Sequence, residues 1–300
     1  IIYISPMTAT VYLNGQYLPE EEARISVNDR GFMFADGTYD VLRSISGVLF
    51  HGDEHFQRLA YCLKELEIRN THMDEIRNII YKLLEINHLS NQEASVYLQI
   101  TRGVYRRMHA FPDADISPTV YIAVRKFTPF EKEFSEGVKC ITAEDIRWQR
   151  CDLKTIGLVA NVMAIEKASR SGAYEAIFIR NGLVTEASHS SVFGVFNGKV
   201  LTHPKNNHIL AGISRDIVID LCRKLHIDFE EKPIKAEQLP HLEELMVVGT
   251  STEVMPVVRL DNYSIADGKP GKITAQLHQE FRKYMNEYVK HHRQGKNSIS

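Results

Sequence analysis

Apolar runs interrupted by the dipeptide Asn-Gly are the clearest pattern along this chain. Val11-Tyr-Leu-Asn14-Gly15-Gln-Tyr-Leu18 sets the pair between two short apolar segments, and both residues tolerate the positive φ angles of a type I′ turn. The pair returns at Asn181-Gly182, after Glu175-Ala-Ile-Phe-Ile-Arg180, and at Asn197-Gly198, between Ser191-Val-Phe-Gly-Val-Phe196 and Lys199-Val-Leu-Thr202. Hairpins at these three places predict antiparallel sheet as a major component. Helical periodicity is interleaved with them. Over 53–68, Phe56, Leu59, Leu63 and Leu66 recur at helical spacing, with Asp53 and Glu54 suited to a positive N-terminal end. Ile76, Ile79, Ile80, Leu83 and Leu84 repeat the pattern over 74–86, and further helices are predicted at 161–171, 214–225 and 273–288.

The stretch Lys126-Phe-Thr-Pro-Phe-Glu-Lys-Glu-Phe-Ser-Glu-Gly137 is mixed, charged and punctuated by Pro129 and Gly137, and a fresh strand-like run follows from Val138. It predicts a small α/β domain over 7–126, an interdomain loop over 127–137 and a larger domain over 138–290, followed by a polar, flexible tail over 291–300. The class is α+β in two domains, with a cleft between them as the default ligand site.

Composition narrows the function without naming it. Among 300 residues, 36 Lys and Arg stand against 38 Asp and Glu, a net charge of −2 that argues against a nucleic-acid footprint or a polybasic membrane anchor. No apolar run approaches the ~20 residues of a membrane span. Ile1 to Pro6 lack the charged n-region and long h-region of a signal peptide and read as a leader ahead of Met7. Cys62, Cys140, Cys151 and Cys222 have no CxxC spacing, which points to reduced thiols, a cytoplasmic location and no metal site.

Five segments hold candidate chemistry, each with an ordinary alternative. Lys154 lies in the mostly apolar run Cys151–Asn161, where desolvation makes an amine nucleophile; a surface Lys at a strand-to-helix turn is the other reading. Glu186 stands among small hydroxyl residues in Thr185-Glu-Ala-Ser-His-Ser-Ser191, as a carboxylate partner for a ring nitrogen or as an exposed strand residue. Gly212-Ile-Ser214-Arg-Asp216 opens a helix whose free amides suit a phosphate, or simply an N-cap. Gly249-Thr250-Ser-Thr-Glu253 follows an apolar strand and reads as part of a phosphate cup or as a capping box. Arg102, Arg106, Arg107 and His109 cluster as a carboxylate clamp or a solvated basic loop. Together these are the parts of a pyridoxal phosphate site.

At this point the chain resembles the fold-type IV pyridoxal phosphate enzymes, and among them the D-amino-acid (D-alanine) aminotransferases. The resemblance spans nearly the whole chain. Its landmarks are Asp29-Arg-Gly-Phe32, Asp36-Gly-Thr-Tyr-Asp40, Glu54-His-Phe-Gln-Arg58-Leu59, Arg107-Met-His109, Asp152-Leu-Lys154-Thr155, Thr185-Glu186, Gly212–Asp216 and Thr250–Glu253. It implies a larger C-terminal domain with a β-barrel-like sheet, and the cofactor in the interdomain cleft. It further implies that Lys154 carries the cofactor as a Schiff base and shuttles a proton, while Glu186 pairs with the pyridine nitrogen. Arg58, the amides of Ile213 and Ser214, and Thr250 are implied to hold the phosphate, with Leu210 propping the ring. Tyr39, Arg107 and His109 match the trap for the substrate α-carboxylate, whose Arg-x-His pair comes from the partner subunit of a homodimer. The implied substrates are a D-amino acid, such as D-alanine or D-glutamate, and a 2-oxo acid. A branched-chain L-amino-acid aminotransferase and an aminodeoxychorismate lyase are the alternatives within the fold. Ala187, His189 and Ser191 depart from the family's Thr-Glu-Gly-Ser-x-x-Asn, which bears on cofactor affinity and substrate range.

Overall fold

A computed structural model of the chain describes residues 9–112 and 115–297. The leader expected at 1–6 and the last residues of the expected tail lie outside the described residues. The chain groups into two compact units. One reaches to Thr128 and includes Leu153–Gly157 and the chain from Val289 onward; the other consists of Pro129–Asp152 and Leu158–Tyr288.

The first unit is an antiparallel sheet covered by helices. Its elements are β1 (Thr10–Leu13), β2 (Gln16–Pro19), α1 (Arg30–Phe34), β3 (Gly37–Ile45), β4 (Val48–Leu49), α2 (Gly52–Glu65), α3 (Met73–Ile86), β5 (Glu93–Thr101) and β6 (Thr119–Lys126), with sheet order β2-β1-β6-β5-β3-β4. In β5, Ala94, Val96, Leu98 and Ile100 alternate into a core with Leu59, Leu63, Ile80, Leu83 and Leu84 of α2 and α3. Their neighbours Tyr97 and Gln99 face the other side. The first Asn-Gly turn joins Leu13 to Gln16 across two residues, with φ of 47° at Asn14 and 91° at Gly15, as the type I′ turn requires.

The second unit contains α4 (Glu131–Glu136), β7 (Val138–Glu144), α5 (Val159–Arg170), β8 (Glu175–Arg180), β9 (Leu183–Ala187), β10 (Ser191–Phe196), β11 (Lys199–Thr202), α6 (Ile213–Lys224), β12 (Phe229–Glu231), β13 (Glu244–Gly249), β14 (Glu253–Leu260), β15 (Tyr263–Ser264) and α7 (Lys272–Asn297). Its nine strands run β12-β11-β10-β13-β14-β7-β8-β9, with β15 on β14. α5 is the crossover between the parallel strands β7 and β8. β9 ends this order, yet its Ala187 N–H donates to Ser190 C=O at 2.7 Å as the chain turns directly into β10. The sheet therefore curls into the half-barrel form that the resemblance implies. Ile177, Val184, Val192, Val247 and Met255 lie in its core.

Three boundaries differ from the sequence expectation. The segment 127–137 carries α4, whose Phe134 is buried. Residues 153–157, expected with the larger domain, group with the first unit because their backbone pairs with β3: Tyr39 N–H donates to Lys154 C=O at 3.1 Å and Ile156 N–H to Gly37 C=O at 3.2 Å. The tail expected from His291 continues α7 to Asn297.

Candidate functional site

In the first unit, local pairing fixes Lys154. Its carbonyl accepts from Tyr39 N–H and from the Thr38 hydroxyl at 2.8 Å, and its own N–H donates to Cys62 Sγ at 3.3 Å. With the backbone clamped on both sides, the half-buried side chain brings Nζ to 4.4 Å from the Tyr39 ring centroid. Tyr39 in turn stacks on Tyr97 at 5.9 Å. The paired backbone and the aromatic face together hold the Lys154 amine in place. Burial pushes the neighbouring Cys62 thiol up, so it is an inert packing group.

Beneath this lies a charged cluster that the sequence did not announce. Asp40, on β3, is 1% exposed and accepts from Arg58 Nε at 3.0 Å and Nη2 at 2.7 Å, while His55 Nδ1 lies 2.8 Å from Oδ1. Burial works against the charge on Asp40, but Arg58 and His55 hold its carboxyl well below the usual carboxylate range. Burial lowers His55 in turn, assisted by the charges of Arg58 and Lys154. Arg58, expected at the phosphate, thus has one edge of its guanidinium locked by Asp40.

In the second unit, Glu186 stands on β9 at 8% exposure. Arg147 Nη1 donates to its Oε1, and Leu210 N–H donates to Oε2 at 3.0 Å. Arg147 also grips Asp145, through Nε at 2.8 Å and Nη2 at 2.9 Å, and Asp145 accepts from Thr185 Oγ1 at 2.9 Å. Arg180 Nη2 lies 3.0 Å from the same carboxylate. Burial would raise Asp145; the Arg147, Thr185 and Arg180 hydrogen bonds outweigh it and bring it down to about 2. Arg147 was not singled out from sequence, and the Asp-x-Arg spacing at 145–147 is the only local signal for it.

The expected phosphate elements meet along β10. Ser191 opens this strand and pairs with Val248 of β13, which brings the 249–252 loop beside Ser190. The Ser190 and Thr252 hydroxyls are 3.2 Å apart. On the same strand end, Gly212 precedes α6 so closely that a Cβ there would stand 2.9 Å from Ser191 Oγ. No side chain caps α6, so no side chain satisfies the amides of its first turn, Ile213 and Ser214 included. No helix begins at Thr250; residues 250–252 turn into β14, which rules out the capping box. Of the departures, Ala187 is buried and His189 is tied to Glu175, its N–H donating to Oε1 at 2.5 Å. Asn161 donates to Ser188 C=O at 2.8 Å within this turn.

Among the described residues, no hydrogen bond or ring contact joins Tyr39 to Arg107 or His109. Tyr39 contacts Tyr97 and Lys154, whereas the exposed Arg107 and His109 both pack on Phe34, at 5.1 and 5.3 Å. Among the described residues, no cluster of His, Cys, Asp and Glu suits a metal ion, and no helix is long and apolar enough to cross a membrane.

Taken by chemistry alone, each unit carries donors that suit pyridoxal phosphate: the Lys154 amine in the first, and in the second a buried carboxylate and uncapped amides near hydroxyls. The family model described as amino-transferase class IV matches residues 37–260. A D-alanine aminotransferase of Staphylococcus haemolyticus is 37% identical over 276 residues, covering 92% of this chain and 97% of that protein. One from Bacillus licheniformis is 37% identical over 268 residues, covering 89% and 94%. The crystal structure of the Escherichia coli branched-chain amino acid aminotransferase has a TM-score of 0.84 at 24% identity, covering 92% of this chain and 94% of that one. A fold IV-transaminase from Curtobacterium pusillum has a TM-score of 0.78 at 20% identity, covering 92% of each. At these identities the two structures share the fold alone.

Proposed function

Because the chain belongs to the amino-transferase class IV family, we propose that it is a pyridoxal phosphate-dependent transaminase moving the amino group of D-amino acids to a 2-oxo acid. The observation that carries this reading is the 37% identity to D-alanine aminotransferases over nine-tenths of the chain. D-alanine and D-glutamate are the substrates proposed first.

Bound pyridoxal phosphate supplies an electron sink for the charge left at the substrate Cα. Lys154 would hold the cofactor through its amine, and that amine would take up and return the substrate Cα proton. Glu186 would pair with the pyridine nitrogen, and Arg147 with Leu210 N–H holds its carboxylate in place. The amides of Ile213 and Ser214, the Thr250 side chain and Arg58 hold the phosphate, and Leu210 supports the ring.

Tyr39, Arg107 and His109 bind the α-carboxylate, with Arg107 and His109 donated by a second copy of the chain. Homodimer formation is supported by the exposed apolar residues Val27 (73%) and Phe32 (70%). The four free, buried cysteines support a reducing, cytoplasmic location. Lys154→Ala tests the chemistry: turnover and the visible absorbance of lysine-bound pyridoxal should both vanish. Full transamination by that variant would remove the assignment.

A further inference from the structure

We infer that Phe34, held in place by Arg30, is a positioning residue that sets the aim of Arg107 and His109, and so the grip on the substrate carboxylate. The inference rests on the reading that these two residues bind that carboxylate. Three side chains stack on one ring. The Phe34 ring has the Arg107 guanidinium 5.1 Å from its centroid, the His109 ring at 5.3 Å and the Arg30 guanidinium at 5.0 Å. Arg107 and His109 are exposed, and among the described residues Phe34 is the ring that both pack on.

The platform is rigid. Asp29 caps α1 by accepting from Gly31 N–H at 2.8 Å, and it is itself tied to Thr101 of β5 and Thr119 of β6, at 3.0 and 2.6 Å. Gly31 is required there, because a Cβ would stand 2.2 Å from Thr101 Cγ2. Arg30, 2% exposed, continues the anchorage: its Nε donates to Asp36 at 2.7 Å, while Nη1 reaches Met108 C=O at 2.6 Å and Ala110 C=O at 3.4 Å, and Nη2 reaches His109 C=O at 3.4 Å. Arg102 doubles the hold on Asp36, at 2.8 and 3.0 Å. One buried guanidinium thus fixes the backbone on both sides of His109, and the ring above it fixes the side chains.

Phe34→Leu, which keeps apolar bulk but removes the π face, should raise the KM for D-alanine about tenfold while kcat changes less than about threefold, the size expected for losing two cation–π-type contacts. Phe34→Tyr, which retains the face, should restore KM to near the wild-type value. Arg30→Lys should also raise KM by releasing the 108–110 carbonyls, and if it fails to fold, the Phe34 pair decides. Pyridoxal phosphate affinity of the apoenzyme should remain within about twofold in Phe34→Leu; a merely structural role would weaken it together with KM. Arg107→Ala is the reference. Unchanged KM in Arg107→Ala would refute the carboxylate reading itself. Raised KM there, with unchanged KM in Phe34→Leu, would overturn this inference alone.

Discussion

Replacing Arg147 with Met keeps an unbranched apolar stem and deletes the guanidinium. That group donates to Glu186 and to both oxygens of Asp145, whose side chain is fully buried. Asp145 titrates at about 2, against an ordinary value of 3.8, a depression of about two units, or roughly 2–3 kcal/mol of favourable interaction. Arg180 and Thr185 share in that figure, whereas the loss at Glu186 adds to it. Breaking a buried ion pair typically costs about 3–5 kcal/mol, and the variant should lose stability in that range at pH 7. The sign of the pH dependence is fixed by the depressed value. Asp145 contributes stability above its unfolded pKa, near 3.9, and that contribution is lost as pH falls through the folded value near 2. The gap between wild type and Arg147→Met should therefore be full at pH 5–7 and shrink below pH 4. Urea unfolding of the two apoproteins, followed by far-UV circular dichroism from pH 7 to pH 3, measures it. A gap under about 1 kcal/mol at pH 7, or one that stays constant down to pH 3, would refute the reasoning.

Other perturbations report on different parts of the site. Asp40→Asn leaves Arg58 buried beside a neutral amide and should cost about 3–5 kcal/mol in the same unfolding assay. It should also weaken cofactor binding to the apoprotein, measured by equilibrium titration, because the Arg58 guanidinium is no longer steered. Gly212→Ala drives a methyl against Ser191 Oγ at 2.9 Å and should cost about 1–3 kcal/mol and lower phosphate affinity; adding Ser191→Ala should recover most of both, as a double-mutant cycle shows.

Local patterns were legible in the sequence, and distant pairings were not. The Asn-Gly turns need only two residues to adopt positive φ, and all three form, with Asn181 at 50° and Asn197 at 52°. α2 and α3 follow from the spacing of Phe56, Leu59, Ile80 and Leu83, since periodicity alone selects the buried face. Lys154 was placed with the wrong unit because its partner is the backbone of Tyr39, more than a hundred residues away, and main-chain pairing leaves no mark on side-chain identity. Arg147 lies in the loop after β7, and its target Glu186 is far along the chain on β9, so no local pattern links the two. Asp40 read as part of a landmark, yet its burial against Arg58 and His55 depends on β3 meeting α2. The extension of α7 past Tyr288 went unseen because Val289 is followed by a run of Lys, His and Arg with no apolar period.

The central claim is that the chain transaminates D-amino acids. It is tested most directly by incubating the pyridoxal phosphate-loaded protein with D-alanine or L-alanine, each with and without 2-oxoglutarate, and following pyruvate. The account predicts catalytic pyruvate formation from D-alanine only when 2-oxoglutarate is present, with glutamate as co-product. Turnover confined to L-alanine, or none with D-alanine, would contradict it.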